Sequence, residues 1–361
     1  MCVAKITNRD IARMAGVSPA AVSIAVNGKD GISEETRKRI LSIARQYHYC
    51  PNGADRRIME GRSPYIAVLF RTDANLEDQT FYSEMGMNAM VACREKGYTL
   101  VMTYITGEDG VIELPPAIRN GEVDGVLVFG DQEPGIYAEL DRVGIPFVVL
   151  DSSRGVPGQH AVSVDYTEAA YQVTRHLIEL GHRDIAYLSN GTLHDFNTLT
   201  LAGFQRATTE AGIALYPNRF QIDVEDTQSL RACVDKALGG PQRPTAIFCT
   251  VDIYAINMMR YLQSCGLRVP EDISVVSIDD ILISQFVSPP LTTMHIDRRE
   301  MITYGIEMLE QILAGHGCEN RILSAPRLIA RESTAAIKQQ KTSETLVKGM
   351  PDRDFLKPKN S

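Results

Sequence analysis

Apolar positions change their spacing partway along the chain. In the first 50 residues they recur every three to four positions in three short stretches, the mark of small amphipathic helices. Thr7-Asn8-Arg9-Asp10 opens the first, a Thr N-cap followed by an acid three residues on, which approaches a capping box. Ile11, Ala12 and Ala15 fall on one face, and Gly16 ends the helix. Ser18 caps a second helix, with Pro19 in its first turn and Ala20 to Val26 as its body, and Asn27-Gly28 stops it. Two short helices joined at a glycine predict a helix-turn-helix. Ser33-Glu34-Glu35 starts a third helix, with Ile40, Leu41 and Ala44 on its inner face.

From Pro64 onward, short continuous apolar runs alternate with amphipathic stretches. Strands are predicted at 65–70, 98–105, 123–129 and 145–150, separated by helices running to 96, near 113–120 and at 134–143. A second series follows: helices at 166–180, 198–212, 227–238 and 252–265, with strands at 184–189, 219–224, 245–250 and 273–278. Such alternation implies parallel sheets covered by helices on both faces. Two series imply two lobes, and ligands of such sheets bind beyond the carboxyl ends of the strands, here the cleft between lobes. The fold class expected is an all-α helix-turn-helix head on a doubly wound, two-lobed α/β body. The division expected is 1–50 for the head, 51–63 for a hinge or linker, 64–337 for the body, and 338–361 for a Lys- and Pro-rich, aperiodic, disordered tail.

Charge sharpens this picture. The chain of 361 residues has a net charge of −8, which by itself argues against nucleic acid. Residues 1–63 carry 11 Lys/Arg against 6 Asp/Glu, a net +5 that leaves −13 on the rest. A basic head on an acidic body concentrates phosphate affinity at one end. The 7 cysteines are an odd number without a C-x-x-C pair, so reduced thiols in a cytoplasmic protein are expected rather than a disulfide framework or metal site. No secretory h-region opens the chain, and no apolar run reaches the roughly 18 residues of a membrane helix. An enzyme is the first rival reading, but P-loop, G-x-G-x-x-G, G-x-S-x-G and H-E-x-x-H motifs are missing, and no cofactor is implied. His182 sits at a helix-to-strand turn and reads as structural, and Asp279-Asp280 on an extended strand would point to opposite faces. The second rival, a solute-binding protein of the same two-lobed fold, would carry a signal peptide and no helix-turn-helix.

The pattern Thr7-x-x-Asp10-Ile11-Ala12-x-x-Ala15-Gly16-Val17-Ser18-x-x-x-Val22-Ser23-x-x-x-Asn27-Gly28 resembles the head of the lactose/galactose repressor family of bacterial transcriptional regulators. In helix-turn-helix proteins the second helix enters the major groove. The resemblance places Pro19, Ala20 and Ile24 at base-reading positions, beside Ala21 and Asn27, and makes Thr7, Arg13, Ser18 and Ser23 phosphate-positioning residues. Ile24 departs from the polar or basic residue usual there. Pro19, Ala20 and Ile24 offer no hydrogen bonds to base edges, so thymine methyls and DNA shape are the remaining sources of specificity. Residues 49–63 resemble the family's hinge helix, with Ala54, Arg56 and Arg57 at the DNA and Ile58 as the apolar minor-groove wedge. Asp55 departs from the small neutral residue usual there and would weaken binding.

The resemblance extends over roughly 5–337, through Val123-Asp124-Gly125, Gly181-His182-Arg183, Ala202-Gly203-Phe204, Arg243-Pro244-Thr245, Val269-Pro270-Glu271-Asp272 and Ser288-Pro289-Pro290-Leu291-Thr292-Thr293. It implies a periplasmic-binding-protein-like domain whose cleft holds a small-molecule effector. Phe81, Tyr82, His194, Phe196, Val224, Asp252 and Asp279 match effector contacts. Aromatic faces and carboxylates at strand ends suit a carbohydrate first and a purine or nucleoside second, with a protein corepressor as a further alternative. Thr200 stands where an effector-binding Arg is frequent, and Val251 where Asn is, which argues against a typical anionic ligand. The resemblance implies a repressor whose lobe closure moves the hinge helices. Its partners are double-stranded DNA with a palindromic operator and a second copy of the chain, with pairing of dimers into tetramers left open.

Overall fold

The computed structural model describes residues 8–26, 29–46, 63–71, 79–105, 107–108, 111–152, 159–190, 194–224, 226–239, 243–323 and 326–337. Of the hinge expected at 51–63, residues 51–62 fall outside these residues, as does the tail expected at 338–361. Three helices lead: α1 (Asn8–Ala15), α2 (Pro19–Val26) and α3 (Glu34–Gln46). Their shared core is Ile11, Ala12, Ala15, Val22, Ala25, Ile40 and Ala44.

The body begins with β1 (Tyr65–Arg71), α4 (Gln79–Glu95) and β2 (Thr99–Ile105). A two-stranded ribbon of β3 (Gly107–Glu108) and β4 (Val111–Ile112) follows, then α5 (Pro116–Arg119), β5 (Gly125–Phe129), α6 (Pro134–Val143), β6 (Phe147–Leu150) and β7 (Ala161–Val164). The second series is α7 (Tyr166–Glu179), β8 (Ile185–Asn190), α8 (His194–Glu210), β9 (Phe220–Val224), α9 (Thr227–Leu238), β10 (Ala246–Cys249), α10 (Asp252–Ser264), β11 (Ser274–Asp279) and β12 (Thr292–His295). The last described elements are α11 (Arg298–Leu313), β13 (Arg321–Leu323) and β14 (Arg327–Ile329).

Two six-stranded sheets result, ordered β13-β7-β6-β5-β1-β2 and β14-β12-β11-β10-β8-β9. Among the described residues, all pairs within these two sheets are parallel except β12 with β14. The fold class is therefore the expected one, a helix-turn-helix head on two parallel α/β lobes. The connectivity adds what alternation alone did not reveal. The chain crosses between lobes three times: from β7 to α7, from β12 to α11, and from β13 to β14. Helix α11 thus belongs to the first lobe, against α4 and β5 to β7, whereas α7 packs on α8 and under the second sheet.

The short strands β7, β12, β13 and β14 and helix α11 had no counterpart among the predicted elements. The four strands complete sheets and crossovers, and their apolar runs are too brief to stand out in the sequence; α11, with Met301, Ile302, Ile306 and Leu309 at helical spacing, lies beyond the last predicted strand. The helix expected near 113–120 contracts to the four residues of α5, because Pro115 and Pro116 leave room only for a Pro-started single turn. Gly203 of α8 lets that helix lie directly on α7; a Cβ there would meet the Thr167 carbonyl oxygen at 2.1 Å. His182 is structural, as its position suggested: it is buried, with Nδ1 2.9 Å from Thr245 Oγ1 and Nε2 3.1 Å from the Ala335 carbonyl.

Candidate functional site

The head is built around one turn. Gly16 takes a left-handed φ of +64°, a conformation that suits glycine, and the Val17 N–H donates to the Ala12 carbonyl at 3.0 Å to close α1. Ser18 then caps α2, its Oγ accepting from the Ala21 N–H at 3.1 Å. Ser33 caps α3 in the same way, accepting from Thr36 N–H at 3.2 Å. Arg37 of α3 donates to the carbonyls of Ala25 at 3.3 Å and Lys29 at 2.5 Å, which holds the end of α2 against α3. With Val22 and Ala25 committed to the core, α2 presents Ser18, Pro19, Ala20 and Ser23 to solvent, with Ala21 and Ile24 half-buried beside them. Arg13 is exposed on α1 and paired with Asp10. Thr7, Asn27, Ala54, Arg56, Arg57 and Ile58 lie outside the described residues.

In the body, the carboxyl ends of β6 and β11 carry two buried acids with left-handed backbones, Asp151 at φ 66° and Asp279 at φ 125°. Asp151 accepts hydrogen bonds from the Tyr166 hydroxyl at 2.5 Å and the Tyr82 hydroxyl at 3.1 Å. Tyr82 comes from α4 in the first lobe and Tyr166 from the start of α7 in the second, so Asp151 ties the two lobes at a crossover. Phe196 stands edge-on to Tyr166, with ring centroids 4.7 Å apart. Ser152 donates to Asp131 at 2.8 Å, just beyond β5.

Asp279 has a different setting from its neighbour Asp280. Asp280 pairs with His295 at 2.8 Å and Arg331 at 2.5 Å. Burial pushes its carboxyl up, but those two partners outweigh it and leave it below its ordinary value. Among the described residues the Asp279 carboxylate receives one contact, from the Asp252 N–H at 3.4 Å. Burial, followed by the charge of Asp252, pushes it well above the ordinary range, against the pull of Arg298. Burial likewise raises Asp151 to about 7, despite the two tyrosine bonds. The adjacent acids are expected to point to opposite faces of an extended strand, but β11 ends at Asp279 and both residues take left-handed backbones; their surroundings differ because Asp280 meets His295 and Arg331.

One side chain organises this corner. The Arg298 guanidinium, nearly buried at the start of α11, donates to the carbonyls of Asp279 at 2.5 Å and Asp280 at 2.7 Å. It also pairs with Glu84 of α4 at 3.2 Å and lies 5.3 Å from the centre of the Phe81 ring. The other Glu84 oxygen accepts from the Leu282 N–H of the second lobe at 2.8 Å. Arg298 therefore clamps the left-handed turn at Asp279 and ties it to the first lobe.

The residues singled out by resemblance divide under this geometry. Tyr82, Phe196 and Asp279 gather at the crossover with Asp151. Phe81 is buried in the core beneath Arg298. Val224 is buried within the second lobe, on its edge strand. Asp252 is fully buried, and its oxygens accept from Ile281 N–H at 3.0 Å, Ser284 Oγ at 2.5 Å and Thr293 Oγ1 at 2.6 Å. It staples the start of α10 to β12 and the loop after β11. His194 begins α8. Thr200 is fully buried, within 2.8 Å of the Tyr187 hydroxyl, and so faces the core. Asp151, Tyr166, Glu84 and Arg298 escaped the sequence reading. For Asp151 a signal existed, an acid ending an apolar strand; Glu84 and Arg298 come together only through the crossover.

Among the described residues no helix is long and apolar enough to cross a membrane. A family model described as bacterial regulatory proteins of the lacI family matches residues 7–52, and one described as a periplasmic binding protein-like domain matches 174–334. The chain is 31% identical over 332 residues to the HTH-type transcriptional repressor PurR of Aliivibrio salmonicida, covering 91% of this chain and 98% of the relative. It is 30% identical over 334 residues to PurR of Photobacterium profundum, at 91% and 98% coverage. Among solved structures, the transcriptional regulator CelR–cellobiose complex aligns with TM-score 0.64 and 26% identity over 91% of this chain and 99% of that one. The lac repressor dimer bound to operator and the anti-inducer ONPF aligns with TM-score 0.65 and 24% identity, over 92% and 99%.

Proposed function

Because this chain belongs to the lacI family of bacterial regulatory proteins, we propose a division of labour between its parts: the helix-turn-helix reads an operator, and the crossover corner binds the effector of a ligand-controlled transcriptional repressor. Helix α2 enters the major groove with Pro19, Ala20, Ala21 and Ile24 toward the bases. Arg13, Ser18 and Ser23 position phosphates. Thr7, Asn27, Ala54, Arg56, Arg57 and Ile58 keep the DNA-contacting roles that the resemblance implies. One head covers a half-site, so the operator is palindromic and the regulator a dimer. The apolar surface of Met87, Met90 and Val91 on α4, continued by Met102 and Tyr104 on the edge strand β2, is the face that fits a second copy.

The effector is a small uncharged molecule rich in O–H or N–H donors. The observation that carries this is the pair Asp151 and Asp279, two buried acceptors at strand ends of opposite lobes, beside a guanidinium that is already committed. Arg298 is committed to two carbonyls and Glu84, and Thr200 replaces the frequent arginine. A carbohydrate fits first, and the neighbour solved with cellobiose supports that reading. A purine or nucleoside is the second reading, favoured by the rings of Tyr82, Tyr166 and Phe196 that would stack on a base. Phe81, Val224 and Asp252 serve by holding the walls of the cleft, and His194 starts the helix that carries Phe196.

The test is a thermal-shift screen of the full chain against sugars, sugar phosphates and nucleosides, repeated with Asp279→Ala. A ligand at 100 times its Kd adds about 2.7 kcal/mol to the state it binds. The shift should appear with a neutral ligand and vanish in Asp279→Ala, while DNA binding persists and weakens steeply with salt. A folded Asp279→Ala variant that loses DNA binding would refute the division of labour.

A further inference from the structure

The surface that α2 turns outward carries a constraint on the DNA it reads, given the proposal that α2 is the reading helix. Between Pro19 and Val26 the only polar side chain is Ser23. The exposed positions are otherwise Pro19 and Ala20, with Ala21 and Ile24 half-buried at the border. Ser18, at the cap, already accepts from the Ala21 N–H. Nearby cations are drawn elsewhere: Arg13 to Asp10 on α1, and Arg37 to the carbonyls of Ala25 and Lys29.

Direct reading of guanine takes Arg or Lys, of adenine Asn or Gln, and of cytosine Asp or Glu. None of these side chains stands on α2. In the major groove the one base-edge group that an apolar surface can hold is the thymine 5-methyl. Under the same surface a G·C pair leaves its N7, O6 and N4 groups without a partner and an A·T pair leaves its N7, N6 and O4 groups so, at a similar cost. The methyl contact that only the A·T pair adds is therefore what separates the two.

We propose that the operator half-site presents thymine 5-methyl groups to Pro19, Ala20 and Ile24, so that the chain selects A·T pairs at these positions by methyl contact rather than by hydrogen bonding. Specificity at the centre of each half-site then depends on a group that can be removed without touching base pairing.

Duplexes selected by the full-length chain from a randomised pool supply the operator. Each thymine of the half-site is then replaced singly by deoxyuridine, which deletes the methyl and leaves every hydrogen-bonding group in place. Affinity at fixed salt should fall roughly fourfold for each contacted methyl, the worth of one buried carbon, and stay unchanged for thymines outside the half-site. Ala20→Gln is an exposed, helix-compatible change that should keep the fold, remove the deoxyuridine effect at one position and move the preference there. G·C pairs selected under α2, or deoxyuridine tolerated at every thymine, would overturn the proposal while leaving α2 as the reading helix. Binding without any sequence preference would overturn both.

Discussion

Arg298→Met tests the inter-lobe clamp most directly. Met keeps much of the aliphatic volume and removes the guanidinium, so the Asp279 and Asp280 carbonyls lose donors at 2.5 and 2.7 Å and Glu84 loses its cation at 3.2 Å. Hydrogen bonds from charged donors contribute about 1.5–3 kcal/mol each, and removing one partner of a buried charged pair costs about 3–5 kcal/mol. The Glu84 side chain is 25% exposed, whereas that of Arg298 is 9% exposed. Solvent therefore screens the ion pair, and the two carbonyls account for most of the loss. The expected destabilisation is about 3–4 kcal/mol, read from urea unfolding of the DNA-free chain. Glu84→Gln alone should cost about 1 kcal/mol, because its amide oxygen still accepts from Leu282, and the double variant should recover roughly that amount. Arg298→Lys keeps the charge but loses the planar fork, and should behave closer to Met than to wild type. A loss below about 1 kcal/mol for Arg298→Met, or a lysine variant as stable as wild type, would show that the turn at Asp279 stands without the clamp.

Two further predictions address packing and protons. Gly203→Ala drives a Cβ to 2.1 Å from the Thr167 carbonyl, against backbone that cannot swing aside. It should cost about 3 kcal/mol or more and lower the melting temperature, whereas Gly317→Ala, with nothing within 4 Å of its Cβ, should leave it unchanged; equal melting points would refute the close approach of α7 and α8. Asp151 titrates near 7 in the folded chain against an ordinary 3.8, chiefly through burial. The native state thus holds this proton more tightly, so the stabilisation is complete below about pH 4 and is lost as pH rises through 7. The shift of roughly three units corresponds to about 4 kcal/mol. The stability of Asp151→Asn relative to wild type should therefore grow from pH 4.5 to 8.5 in urea titrations; a constant difference would mean that Asp151 is ionised throughout.

The sequence alone determined whatever depends on neighbours along the chain. The two helices on either side of Gly16, the second capped by Ser18, are legible because capping and chain reversal act within a few residues. The two α/β series are legible because a strand covered on both faces must be apolar throughout. The charge split between head and body is a count. Tyr82, Phe196 and Asp279 were within reach for the related reason that each sits at the start of a helix or the end of a strand, where such sheets expose their ligands.

Tertiary structure alone decided which of the marked residues meet. Asp252 and Asp279 look alike in sequence, each an acid at an element boundary, yet one is satisfied by three donors and the other held nearly free of them. Glu84 and Arg298 lie 214 positions apart, and no local pattern announces their pairing. Their meeting follows from the return of the chain to its first lobe after β12, and the three donors around the Asp252 carboxylate come from β12 and the loop after β11. Those are properties of the crossovers, and crossovers leave no periodicity in the sequence.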